Sequence, residues 1–267
     1  MIIAAGLLTA LAGNCRALSA ETYAEKWSQA NEAYRAEEYE RAAAIYEDLL
    51  REGASNARTY YNLGNAYSHM KMPGMAAWMY ENALAQKPRM QDARHNLALV
   101  RSHIANNEND EAFFLFKPFI WLAARLTAGE WSAILWLFSS LTGLCAVFWI
   151  LSKPGMMQFI AKAGFFVGAF FMVISLLFFL PQLYQTEFQR YGVVVEPDTI
   201  VRSGPGQQHE AYYETSESEK YLIQSESQIA GWLRVKHPQT GRAGYLPEES
   251  IHLITRDPDV IKKALAE

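Results

Sequence analysis

Two long apolar runs in the middle of the chain limit what the rest can be. Trp131–Leu151 contains no charged side chain and ends at Lys153-Pro154; after Lys162 a second uncharged run, Ala163–Leu180, stops at Pro181. A helix rises about 1.5 Å per residue, and about 20 apolar residues span the hydrocarbon layer. A helix that is apolar all round must be buried in protein or in lipid. The flanking stretches, one polar and helical and one strand-like, are too small to wrap two such helices. The chain therefore reads as a membrane protein with a transmembrane hairpin, residues 131–151 and 163–181 joined by 152–162, and soluble parts on either side.

The remaining length leaves room for two small domains and too little for a large catalytic one. A net charge of −4 gives no reason to expect a nucleic-acid partner, which requires concentrated Lys and Arg. Cys15 and Cys145 both lie in apolar stretches and support neither a disulfide framework nor a metal site. Residues 1–20, MIIAAGLLTALAGNCRALSA, read as a signal peptide or an N-terminal anchor, with cleavage after Ser19 or Ala20 or lipidation at Cys15 as alternative fates. Lys153 and Lys162 bracket the connection between the spans, whereas the outer flanks carry Glu130 on one side and Glu187 with Arg190 on the other. The positive-inside bias then places 152–162 in the cytoplasm and both soluble parts on the periplasmic side of a bacterial inner membrane.

From Tyr23 to Ile104 the pattern is helical and repeats at a fixed spacing: Ala30, Gly64 and Ala98; Ala42 and Ala76; Tyr46 and Tyr80; Leu49 and Ala83. Units fall at 23–56 and 57–90, with a capping helix at 91–105, inside a helical domain spanning 21–110. The second unit is the fullest, with Tyr60, Leu63, Gly64 and Tyr67 on its first helix and Ala76, Tyr80, Ala83 and Pro88 on and after its second. The period and these spaced residues resemble the tetratricopeptide-repeat family, in which paired helices stack because neither buries its apolar face alone. That resemblance implies a curved scaffold whose first helices form a protein-binding groove. On this chain the groove falls on Trp27, Asn31, Tyr34 and Arg35, then Arg58, Tyr61, Asn65, Ser68 and His69, then Asp92, His95, Ser102 and His103. The plain alternative is that the tyrosines are partly core and the polar residues an ordinary solvated face.

Residues 111–130 combine Phe113, Phe114, Phe116, Phe119 and Trp121 with Lys117, Pro118 and Arg125, and read as an interfacial amphipathic segment against membrane lipid. The spans contain no Asp, Glu, Lys, Arg or His, which argues against an ion or proton path. Gly164 and Gly168 form a G-x-x-x-G pair suited to close helix packing.

After Gly192 short strand-like pieces alternate with turns at Pro197-Asp198, Ser203–Gly206 and His237–Gly241. Val201-Arg202-Ser203, Gly231-Trp232 and Gly244-Tyr245 resemble the bacterial SH3-like family, which implies a small all-β SH3-like barrel at 191–254, followed by a tail at 255–267. Tyr213, Trp232 and Tyr245 would be either an aromatic binding surface or the core. Trp232 and Tyr245 are the expected large core residues. The expected fold class is thus a multidomain membrane protein: an all-α tetratricopeptide repeat domain, a two-helix transmembrane hairpin and a small all-β SH3-like barrel.

The scattered His69, His95, His103, His209, His237 and His252 have no metal spacing, and no phosphate loop, dinucleotide loop or nucleophile elbow is present. The expectation is a protein that is not an enzyme and has no cofactor and no metal. The order of elements resembles the BatE-like proteins of the bacterial Bat aerotolerance group. This resemblance implies a scaffold working with membrane-anchored von Willebrand A domain proteins of that group and a MoxR-type ATPase, linked to oxidative stress or envelope integrity. The alternative is a peptidoglycan-binding or envelope-sensing protein acting through the SH3-like part.

Overall fold

The computed structural model describes residues 23–102, 126–187, 189–226 and 231–266. The expected signal or anchor at 1–20, His103, and the interfacial segment up to residue 125 lie outside the described residues. The chain forms two compact units, one from Met1–Asn107 with Arg190–Glu267 and the other from Glu108–Gln189.

The first unit begins with antiparallel helices: α1 (23–35), α2 (Tyr39–Arg51), α3 (Ala57–His69), α4 (Pro73–Gln86) and α5 (Gln91–Ser102). The turns inside the two pairs are copies of one another. Glu37 (φ 62°) and Lys71 (φ 59°) stand one repeat apart, both left-handed. Around them Glu38 N–H donates to Ala33 O and Met72 N–H to Tyr67 O, closing each helix end with the same loop. Asn56 caps α3, its Oδ1 accepting from Arg58 N and Thr59 N, and Pro73 opens α4 where no N–H is required. At Gly64 a Cβ would stand 2.7 Å from the Tyr80 ring, so the glycine is what admits the tyrosine between α3 and α4.

Seven antiparallel strands follow: β1 (Arg190–Val194), β2 (Thr199–Arg202), β3 (Ala211–Thr215), β4 (Lys220–Glu226), β5 (Trp232–Lys236), β6 (Ala243–Pro247) and β7 (Ile251–Ile254). Their order is β3-β2-β6-β5-β4-β1-β7, a single open sheet. This corrects the expected SH3-like barrel: the edge strands β3 and β7 do not pair, so the sheet does not close. The physical reason lies at both ends. The β7 end is occupied by α4, where Trp78 Nε1–H donates to Leu253 O at 2.8 Å and Thr255 N–H donates to Asn82 Oδ1 at 3.0 Å. At the other end the β2–β3 pairing shifts register between Val201 and Arg202, and a bulge there turns an edge away from further pairing.

The repeats and the sheet share a core. Alternation along β1 sends Val193 into the cluster containing Tyr46, Leu63, Trp78 and Tyr80, and Val194 into the sheet's own cluster with Val201, Tyr221, Val235 and Leu246. Helix α4 is consequently buried on every side from Ala76 to Ala83. At Gly74 a Cβ would lie 2.7 Å from the Val195 Cα, so strand backbone touches helix backbone there. A short terminal helix, Pro258–Ala264, ends the chain by seating Ile261 in the same core, and Arg51 reaches Leu265 O at 3.0 Å.

Tyr221, 0% exposed, is the largest side chain of the sheet's core, whereas Trp232 and Tyr245 are half-buried. The expectation that those two would fill the core fails because Leu233 and Val235 take the inward positions of β5, which turns Trp232 outward.

In the second unit, α6 (Ala128–Leu151) and α7 (Met156–Glu187) form a tight hairpin. Spans long and apolar enough to cross a membrane run from Gly129 to Leu151 and from Met156 to Pro181. They are not core helices: Trp136, Ile150, Leu151 and Phe159 are 70–79% exposed. A capping box between Thr127 and Glu130 starts α6. The second helix begins earlier and ends later than the apolar run, so Lys162 lies within it and Pro181 does not end it. The helices meet along small residues. A Cβ on Gly164 would stand 2.9 Å from Cys145 Sγ, and Gly168 abuts Thr142. Trp131 stacks on Phe178 and Phe138 on Phe171.

Candidate functional site

The sheet and the terminal helix cover the second helices of the repeats, α4 and α2. The first helices α1, α3 and α5 carry the expected groove residues. On α1, Trp27, Asn31 and Arg35 follow one another at four-residue steps; on α3, Tyr61, Asn65 and His69 do the same. Four-residue steps keep side chains on one helical stripe. Arg35, Arg58, Ser68, His69, Asp92, His95 and Ser102 are exposed, and Trp27, Asn31, Tyr34, Tyr61 and Asn65 are half-buried.

The asparagines have a definite task. Tyr46 OH donates to Asn31 Oδ1 at 3.0 Å, and Asn62 Nδ2 reaches Tyr46 OH at 3.2 Å and Asn31 Oδ1 at 3.4 Å. The same triad recurs one repeat later: Tyr80 OH donates to Asn65 Oδ1 at 2.7 Å, and Asn96 Nδ2 to Asn65 Oδ1 at 2.8 Å. Each triad ties a first helix to the second helix of its unit and to the first helix of the next. Burial raises both tyrosine hydroxyls above the ordinary phenol range, keeping them neutral donors. Asn31 also donates through Nδ2 to Trp27 O at 2.7 Å. The carboxamide oxygens of Asn31 and Asn65 are therefore engaged within the stack. Asn62 and Asn96 were not among the expected residues, although their separation by one full repeat was a signal in the sequence.

Aromatic side chains line the same side. Tyr23 stacks on Trp27 with centroids 6.0 Å apart, and Tyr61 lies 6.0 Å from Tyr80. At the opposite end of the stripe, His69 stacks on Tyr39 at 4.3 Å and meets Tyr34 edge-on at 5.7 Å. Burial, then the neighbouring Tyr39 and Tyr61, raise the Tyr34 phenol.

On the sheet, Arg242 lies over the Tyr213 ring at 5.8 Å, and the face holding Trp232 and Tyr245 also carries Arg234. Tyr213, Trp232 and Tyr245 lie on three strands and are each only half-buried. Among the described residues no three His, Cys, Asp or Glu side chains gather as metal ligands, and Cys145 is a free, half-buried thiol.

Comparison with family models, with curated proteins and with solved structures returned no match.

Proposed function

We propose that this protein is a membrane-anchored scaffold that binds protein partners through the first-helix face of its repeats. The observation that carries this reading is the asymmetry of coverage. The sheet and the terminal helix cover the second helices, while on the first helices Arg35 and Arg58 are exposed and Trp27, Tyr34 and Tyr61 are half-buried, packed in part against the core. Partner interfaces are enriched in Trp, Tyr and Arg. A single compact body cannot stand on both sides of a bilayer, so a hairpin inserted within its sequence returns the chain to the side it left. With Lys153 and Lys162 near the connection, that side is the periplasm of a bacterial inner membrane. Confinement to the membrane raises the effective concentration of partners anchored in the same plane. Membrane-anchored von Willebrand A domain proteins of a Bat-type complex, acting in aerotolerance or envelope stress, are the partners consistent with the resemblance.

The test is photocrosslinking in intact membranes from two positions, Tyr61 on the first-helix face and Tyr212, 57% exposed, on the sheet. Capture of a membrane-anchored protein through Tyr61 is the expected result. Wall peptide or glycan at Tyr212, with no protein at Tyr61, contradicts the scaffold reading.

A further inference from the structure

One face of the sheet is covered at one end and bare at the other. Residues opposite one another in an antiparallel pair project from the same face. Val193 of β1 stands opposite Lys220 of β4, and both meet the repeats: Val193 enters their core, and Lys220 Nζ reaches Glu81 of α4 at 2.9 Å. Further along β4, Leu222 stands opposite Lys236, so β5 presents Trp232, Arg234 and Lys236 on that same face. Arg234 in turn stands opposite Tyr245 of β6, and Tyr245 opposite Arg202 of β2. Helix α4 packs on β1 and β7; beyond them Arg234 and Lys236 are exposed, and Trp232, Tyr245 and Arg202 are half-buried.

Charge on the bare part has one sign. Strands β2, β5 and β6 carry Arg202, Arg234 and Lys236 and contain neither Asp nor Glu, although the whole chain holds more acidic than basic residues. The first carboxylate on this face is Glu214, on the edge strand β3 opposite Ile200. Arg202 is anchored through Nη1, which donates to His209 O at 2.9 Å. The cations are interleaved with Trp232 and Tyr245, the ring types that settle at headgroup level in membranes.

The place of the sheet in the chain selects what meets this face. The apolar span ends at Pro181, α7 at Glu187, and β1 starts at Arg190. At about 1.5 Å per helical residue and about 3.5 Å per extended one, that stretch reaches about 20 Å. The chain therefore holds the sheet beside the headgroups of the bilayer its hairpin crosses.

We infer that the bare face of β5, β6 and β2 docks on anionic lipid headgroups of that bilayer, with Arg202, Arg234 and Lys236 at lipid phosphates and Trp232 and Tyr245 among the headgroups. Each Lys or Arg brought to an anionic lipid surface strengthens binding about fivefold. This assigns a ligand to the sheet and goes beyond the scaffold reading, because it does not depend on what the first helices bind.

The experiment uses the full-length protein in lipid nanodiscs, with Cys15→Ser and Cys145→Ser and a fluorophore on Gln239→Cys, an exposed position in the turn between β5 and β6. Discs of phosphatidylcholine alone are compared with discs of phosphatidylcholine and phosphatidylglycerol, both containing a lipid with a nitroxide on its headgroup, which quenches a nearby fluorophore. The expected result is stronger quenching in the phosphatidylglycerol discs, falling at least roughly twofold when Arg234→Glu and Lys236→Glu are combined. It should fall likewise between about 0.1 M and about 1 M salt, as the screening length shrinks from about 10 Å to about 3 Å. Both substituted residues are exposed, so the double variant should keep its melting temperature. The salt series leaves the face unsubstituted and serves as the test if the variant misfolds. Equal quenching in the two discs overturns the inference, as does quenching that survives both high salt and the double substitution. A fluorophore that responds to soluble peptidoglycan fragments and not to phosphatidylglycerol makes the face a wall-binding surface, and the lipid inference falls.

Discussion

Glu81 carries the polar joint between the repeats and the sheet. Its side chain is 9% exposed and sits between Arg101 of α5 and Lys220 of β4, each 2.9 Å from a different carboxylate oxygen. Lys220 also lies over the Tyr191 ring, and Arg101 Nε–H donates to Ser218 O at 3.1 Å. Burial on its own raises a carboxyl pKa, but here the charges and hydrogen bonds of Lys220 and Arg101 outweigh it and hold Glu81 below the usual range. A depressed folded value means that the stabilisation is present above the ordinary value of 4.5 and is lost as pH falls through the folded one. The purified protein should therefore melt at lower temperature in acid, and Glu81→Ala should melt lower at neutral pH and lose less on acidification. Breaking a buried ion pair costs about 3–5 kcal/mol. The low end applies here, because both cations are 31% exposed and water can solvate them. Equal acid sensitivity in the two proteins would contradict this role. The triad is illegible in the sequence, since Lys220 stands 139 residues from Glu81.

At the scale of elements, α4 decides how the soluble unit is built. Its helicity, its start at Pro73 and its contacts through Ala76, Tyr80 and Ala83 follow from the repeat pattern. Its burial on the other side does not, although Ala77, Trp78 and Met79 are apolar outside the repeat stripe and mark a helix covered twice. The sheet shows the same division. Short alternating runs reveal the strands, because inward and outward neighbours differ along one strand. Whether the sheet closes depends on what meets its edges, and the cover at the β7 end is a helix that precedes the whole membrane hairpin in the chain. The asparagine–tyrosine triads were readable in principle from identical spacings, while the coverage that leaves the first helices exposed was not. Gly74→Val tests the joint: its side chain would meet the Val195 backbone, with overpacking costing about 1–3 kcal/mol and protease sensitivity rising in the sheet. Gly143→Val, in the hairpin, meets nothing within 4 Å and should leave both melting and proteolysis unchanged. Equal behaviour of the two variants would show that strand and helix do not touch at Gly74.

For the whole molecule, the two soluble stretches, separated in sequence by the membrane hairpin, form one compact unit, and the proposed function requires that unit to stand on one side of the membrane. In that unit the sheet and the terminal helix cover the second helices of the repeats and leave the first helices uncovered. The direct measurement is site-specific labelling of intact spheroplasts with a membrane-impermeant maleimide. Cys15→Ser and Cys145→Ser remove the native thiols, and single cysteines are placed at Lys87 in the repeats, Gln207 in the sheet and Pro154 in the connection between spans, all exposed. Lys87→Cys and Gln207→Cys are expected to label from outside, and Pro154→Cys only after the membrane is opened. Labelling of Lys87→Cys and Gln207→Cys from opposite sides would contradict the one-sided placement.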